Sequence, residues 1–332
     1  MSNKKFNSDL SNTNNSSCDI FEITQNFVKM NIMETGPTTQ YIHKNIFEED
    51  LCFVIDELSN HYSRELNEGK ESKIRKQHIL DYINNLGINL REIVYWLLNN
   101  QHQSNSIHLL GYFNYYGIGV NIDLQKAFKL FQKAVELKHD TAQFNLANMY
   151  INGEGGDKNY DKAYELAKEL SKKGYPSGTH LLGYCYDMGI GTGVNKEIAF
   201  ELYQKITSLG NCSAQYNLAI MYKNGEGVGI NYNKAFEFFK KSAGQEFSNG
   251  MTMLGYCYYN GIGTNVDMQK ATESYLKAAK LGNQCAQFNL DLMYESGDGI
   301  EKNVKQAIYW YEKSAEQGNE NAQVRLKELL KK

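Results

Sequence analysis

A 36-residue period runs through this chain and limits what it can fold into. Leu recurs at Leu110, Leu146, Leu182, Leu218, Leu254, Leu290 and Leu326, and Ala at Ala127, Ala163, Ala199, Ala235, Ala271 and Ala307. Two glycine columns keep the same step, Gly117, Gly153, Gly189, Gly225, Gly261 and Gly297, and two residues further on Gly119, Gly155, Gly191, Gly227, Gly263 and Gly299. A fixed period of this length marks a solenoid, whose units bury their apolar faces only against their neighbours. The predicted fold class is therefore all-α, an α-solenoid of 36-residue helix-turn-helix repeats.

Residues 213–248 illustrate one unit. Ala214, Leu218, Ala219, Met221 and Tyr222 fall on one side of a first helix, which Gly225 ends. Gly225 and Gly227 stand where the chain must stop and reverse, and glycine reaches positive φ without steric cost. A third column, Asp123, Asn159, Asn195, Asn231, Asp267 and Asn303, reads as the N-cap of every second helix, since these side chains accept from the first free helical amides. Ala235, Phe238, Phe239 and Ser242 follow at helical spacing, and the invariant alanine leaves room for the paired helix.

The pattern A-x-x-x-L-G/A-x-x-Y-x-x-G-x-G, then N/D-x-x-K-A-x-x-x-Y-x-K-A-A-x-x-G, resembles the Sel-one-like repeat family, relatives of tetratricopeptide repeats. Residues 249–284 match it most fully. The resemblance implies a right-handed superhelix of antiparallel helix pairs that serves as a protein-binding scaffold. It covers six repeats beginning at 105, 141, 177, 213, 249 and 285, plus a seventh first helix, NAQVRLKELLKK, whose charges suit a cap at the open end. The pattern is broken at Asn114, where the other five repeats carry tyrosine, and at Lys138 and Glu246, where a glycine normally ends the second helix. Within the array the true unit is 72 residues: AQFNLANMY, AQYNLAIMY and AQFNLDLMY alternate with repeats containing LLGY, LLGY and MLGY.

Three regions are expected. Residues 1–18 carry ten Ser or Asn and read as a disordered tail. Residues 19–104 show helical periodicity around 20–33, 46–66, 73–85 and 90–101, with Gly87 and Asn89 as a stop and the next start. They are expected to form an N-terminal helical cap, with Ile79, Tyr82, Ile83, Ile93, Tyr95, Trp96, Leu97 and Leu98 facing the first repeat. Residues 105–332 form the repeats. The stretch NEGK followed by RKQHILDYINNLGINLREIVYWLLNNQ is also similar to the segment preceding such arrays in fungal repeat proteins, some of which carry a kinase-like domain upstream; no V-A-I-K, H-R-D or D-F-G is found here.

Composition narrows the function. With 42% hydrophobic and 22% charged residues in 332, the chain can bury a core, and its net charge of -3 gives no basic field for nucleic acid or an anionic membrane. No apolar run long enough to span a bilayer and no signal peptide can be read, so the expected compartment is the cytoplasm. Six cysteines without a C-x-x-C pair argue for buried reduced thiols rather than a disulfide scaffold or metal site. The paired cysteines of the bacterial members linked to β-lactam binding are absent.

No catalytic, metal or cofactor residues are expected. The glycine-rich GIGTGV and GEGVG fall in the turn columns and match no phosphate loop; Asp157, Asn159 and Asp161 imitate half a calcium loop, but Lys162 stands where that loop needs glycine. His108 and His180 share a repeat position two layers apart, too far for one metal. Alignment with tetratricopeptide repeats implies a concave face lined by His108, Tyr112, Tyr115, Phe144, His180, Tyr184, Tyr216, Tyr256, Tyr259 and Phe288. Aromatic side chains bury much area with few rotamers lost, so this face is the expected partner site for a peptide or helix. The alternative for these residues is packing between adjacent repeats. The functional expectation is a non-catalytic scaffold or adaptor for protein partners, such as a kinase or other signalling protein; the alternatives are an activator of a cell-wall enzyme such as chitin synthase, or a ligand-binding or β-lactam-hydrolysing repeat protein.

Overall fold

The computed structural model describes residues 48–330, which form sixteen helices and no strand. The expected tail and the segment at 20–33 lie outside the described residues. Three helices come first: α1 (Glu48–Asn67), α2 (Ser72–Asn85) and α3 (Leu90–Asn99). Six pairs follow: α4 (Ser104–Tyr116) and α5 (Leu124–Glu136); α6 (Asp140–Asn152) and α7 (Tyr160–Lys172); α8 (Pro176–Met188) and α9 (Lys196–Thr207); α10 (Cys212–Asn224) and α11 (Tyr232–Ala243); α12 (Ser248–Asn260) and α13 (Met268–Lys280); α14 (Gln284–Ser296) and α15 (Val304–Glu316). A single helix, α16 (Glu320–Leu329), packs on α15. From α3 to α16 each helix packs on the next, and α1 packs on α2 and α4, which makes the molecule an all-α solenoid, as the period predicted.

The repeated columns become repeated contacts. All six column alanines are fully buried, and all six Asp or Asn caps accept from the amide three residues on, as in Asn231 Oδ1 from Lys234 N at 3.0 Å. Gly225 ends its helix in the left-handed region at φ 76°. Gly227 has a second reason to be glycine: a Cβ there would lie 2.3 Å from the Lys196 carbonyl oxygen of the preceding repeat. The two pattern breaks at the far turn keep the left-handed backbone without glycine. Lys138 and Glu246, both at φ 61°, are the positive-φ residues other than glycine among those described.

Ile79, Ile83, Ile93, Trp96 and Leu97 are buried, whereas Tyr95 is 72% exposed and Leu98 41% exposed, so these two do not pack onto the first repeat. A helix has one inward stripe, and α3 turns it through Ile93, Val94, Trp96 and Leu97. The start of α3 follows the expected signals, with Gly87 at φ 66° and Asn89 Oδ1 accepting from Arg91 N.

Candidate functional site

The first helices of the repeats present their N-terminal ends along one side, and residues 56–73 lie along these ends. In α1, Asp56 accepts from Asn105 of α4 at 2.7 Å, the Tyr62 hydroxyl donates to Asn145 of α6 at 2.8 Å, and Ser63 meets Thr141 at 2.7 Å. At the end of α1, Asn67 Oδ1 accepts from Ser177 N and Oγ at the start of α8, and its carbonyl oxygen accepts from Asn211 at the start of α10. The linker continues the series. Glu68 and Gly69 carbonyls accept from Cys212 N and Ser213 Oγ, and the Glu71 carboxylate accepts from Ser248 N, Ser248 Oγ and Asn249 N at the start of α12. Lys73 then donates to Leu281 O, so residues 56–73 touch five of the six repeats.

The length of this segment can be set against what it crosses. From Asp56 to Asn67 a helix advances only about 17 Å. Four first helices set side by side at ordinary packing distance would span roughly 24–30 Å. Side chains reaching across at its two ends make up the difference, Asn105 to Asp56 and Asn211 to the Asn67 carbonyl.

Two of these ends need what the segment brings. The residue before each first helix is Gln103, His139, Tyr175, Asn211, Phe247, Asn283 and Asn319 in turn; His139, Asn211, Asn283 and Asn319 cap their own helices, while Gln103, Tyr175 and Phe247 do not. Asn67 and Glu71 supply the acceptors that Tyr175 and Phe247 do not. Neither residue stands out in the sequence, but the alternation of capping with non-capping residues every 72 positions is readable there.

The ten aromatic and histidine positions spread along the array rather than forming one cluster. His108 and Tyr112 are fully buried beneath α1, their rings 5.3 and 4.7 Å from that of Tyr62. Tyr115, Phe144, His180, Tyr184, Tyr216, Tyr256, Tyr259 and Phe288 are half-buried. Tyr112, Tyr115 and Phe144 come together with Ser72, Arg75 and Asn145 around a cavity of about 190 Å³. Further along, His180 faces Tyr203, Tyr216 lies between Phe239 and Phe247, Lys223 sits over Tyr256, and Phe288 faces Tyr311.

Burial sets the electrostatics of the seam between α1 and the first repeats. His108 stacks on His139 with ring centroids 4.3 Å apart, and Asn145 reaches His108 Nε2 at 3.0 Å. Burial holds the His108 imidazole well below the usual histidine range and brings His139 down to about 4, so both are neutral at pH 7. The same arrangement recurs two repeats on, where Asn217 reaches His180 Nε2 at 3.1 Å and burial lowers His180 to about 4. Cys185, Cys212 and Cys257 are buried free thiols pushed up to about 12.

A last buried acid has no counterpart in the other repeats. The position after the column leucine is Gly111, Ala147, Gly183, Ala219 and Gly255, then Asp291. Small residues are needed there because the second helix turns a ring onto the site: a Cβ on Gly183 would lie 2.8 Å from the Tyr203 ring. Asp291 is fully buried, neither carboxylate oxygen has a hydrogen-bond partner, and the Tyr311 hydroxyl donates instead to Glu295, which Arg325 also binds. Burial pushes the Asp291 carboxyl up to about 10.

Among the described residues no group of three or more His, Cys, Asp or Glu could hold a metal ion, and no helix is long and apolar enough to cross a membrane. The Sel1 repeat model matches residues 104–139, 140–175, 176–211, 212–246, 248–283 and 286–319. No curated protein matches the chain. Among solved structures, a Sel1 repeat protein from Oxalobacter formigenes is similar at 28% identity and a TM-score of 0.59, over 68% of this chain and 91% of that one. A protective antigen of uropathogenic Escherichia coli strains, c5321, which displays an SLR fold, is similar at 29% identity and a TM-score of 0.51, over 85% of this chain and 67% of that one.

Proposed function

The chain belongs to the Sel1 repeat family, and on that premise we propose that it is a non-catalytic scaffold which binds protein segments along the inner face of the superhelix. One observation carries the reading. The array already holds a polypeptide of its own, residues 56–73, through aromatic packing at Tyr112 and through the N-terminal ends of successive helices. Its half-buried aromatics Tyr184, Tyr256, Tyr259 and Phe288 extend the same kind of surface beyond that segment.

The finer role we assign is that of an adaptor for a signalling protein such as a kinase. Its support is the resemblance of residues 67–70 and 75–101 to the segment that precedes such arrays in fungal proteins. The test compares proteins co-purifying from a cell extract with the full chain and with a folded Tyr184→Ser, Tyr256→Ser variant. Partners held by the native chain and lost by the variant support the scaffold; equal capture by both overturns use of this face.

A further inference from the structure

The segment seated on the array defines what chemistry that array reads. We propose, resting on the scaffold reading above, that residues 48–85 are a built-in ligand of the array, and that its external partner is a protein segment of the same chemistry which displaces them. That chemistry is an amphipathic helix carrying an inward tyrosine, ended by a carboxamide, with a carboxylate four residues further on.

Each part has a receiving group in the array. Tyr62 enters between His108 and Tyr112 and donates to Asn145. The carboxamide of Asn67 takes Ser177 N at 3.2 Å and Ser177 Oγ at 2.8 Å, on a helix whose own N-cap residue, Tyr175, turns its hydroxyl to Asp140 instead of capping it. The Glu71 carboxylate takes Ser248 N and Oγ at 2.9 and 2.8 Å, on a helix whose own N-cap, Phe247, cannot accept. A free helix N-terminus carries partial positive charge, so a carboxylate fits the second of these sites and a neutral oxygen suffices at the first.

The seam also buries charge, each group of it paired, Glu65 with His78, Arg75 with the Lys70 carbonyl and Lys76 with the Tyr116 carbonyl, and that burial weighs against the segment. Glu65, Arg75 and Lys76 are drawn out of water within it. The Tyr112 hydroxyl, fully buried at the rim of the cavity that Ser72 and Arg75 line, has no hydrogen-bond partner, and neither has His108 Nδ1. Buried ions and unpaired polar groups cost free energy that apolar burial by Ile55, Leu58 and Leu66 must offset. Tethering helps the built-in segment, since a short linker holds it at an effective concentration of about millimolar. A partner wins when it supplies the same acceptors and satisfies what the segment leaves unpaired.

The experiment uses the full chain and an Asn67→Ala, Glu71→Ala double variant, with a fluorescent peptide of residues 48–85 as the probe. By fluorescence anisotropy the peptide should bind the double variant at least about tenfold tighter than the native chain, and a peptide carrying the same two alanines should lose that gain. Hydrogen exchange on the same samples should find α1 and α2 opening more readily than α10–α13 in the native chain, and more readily still in the variant, with α10–α13 unchanged. Exchange of α1 and α2 in step with α10–α13 in both chains would overturn the proposal, because the segment would then be inseparable core. So would failure of the peptide to bind a variant whose α1 has loosened. A variant that binds the peptide yet captures nothing from an extract supports the built-in ligand and overturns the scaffold reading instead.

Discussion

Replacing Asp291 with alanine should stabilise the last repeat. The column places alanine at the equivalent Ala147 and Ala219, both fully buried, so the smaller side chain fits the site. The magnitude follows from proton linkage. In the folded chain the carboxyl titrates at about 10, against an ordinary value of 3.8. At pH 7 the folded state therefore holds a proton that the unfolded state has lost, and stability falls as pH rises from the unfolded toward the folded value. Three pH units separate 7 from the ordinary carboxyl value, which at about 1.4 kcal/mol per unit gives an upper bound of roughly 4 kcal/mol for the cost of Asp291 at pH 7. Terminal repeats of a solenoid open on their own, so the effect belongs to α14–α16 rather than to the whole molecule. Hydrogen exchange of those helices should find the variant better protected, with a gap that widens from pH 5 to pH 8. A gap of zero, or one that does not grow with pH, would refute the argument.

Other perturbations test the seam and the turns. Acid should loosen α1: His139 titrates at about 4 in the fold, below the ordinary 6.5, so stability is lost as pH falls through that interval, at up to about 1.4 kcal/mol per unit. His108, stacked on it, acts in the same direction, while Asp140 opposes. Hydrogen exchange of α1 at pH 7 and pH 5 should record faster opening in acid, reduced by His139→Asn, which keeps a cap of the kind Asn211 provides; no change with pH would count against the seam as described. Lys138→Gly and Glu246→Gly should each stabilise by about 0.5–1 kcal/mol, since relief of the left-handed backbone outweighs the added entropy of the unfolded chain. Urea unfolding checks this, and a loss of stability in either variant would refute it.

What the sequence disclosed was local and periodic. Asn231, Ala235 and Gly225 each report a requirement set within one repeat or by the next, so a 36-residue comparison exposes them. The breaks matter as well: Lys138 and Glu246 keep the turn that glycine normally makes, while Asp291, which the 72-residue alternation does not single out within AQFNLDLMY, is a buried acid. The alignment of helix positions implies a concave face for His108 and Tyr112, and it does not say what covers them. Tyr62 reaches Asn145 across 83 residues and Asn67 reaches Ser177 across 110, and no local pattern encodes such a contact.

The missing caps connect the two levels. A helix that loses its N-cap loses about 0.5–2 kcal/mol, and the third and fifth repeats carry Tyr175 and Phe247 where neighbouring repeats carry the capping residues His139, Asn211 and Asn283. Had those positions been asparagine, each helix would be complete without the N-terminal segment. Because Asn67 and Glu71 complete them instead, stability of these repeats and docking of the segment are reciprocally linked. Strengthening one strengthens the other, and a partner that lifts the segment away must return an acceptor to both helix ends or leave them open. The array is thereby selective for the oxygen spacing of Asn67 and Glu71, which meet helix ends two repeats apart and lie four residues apart in the chain.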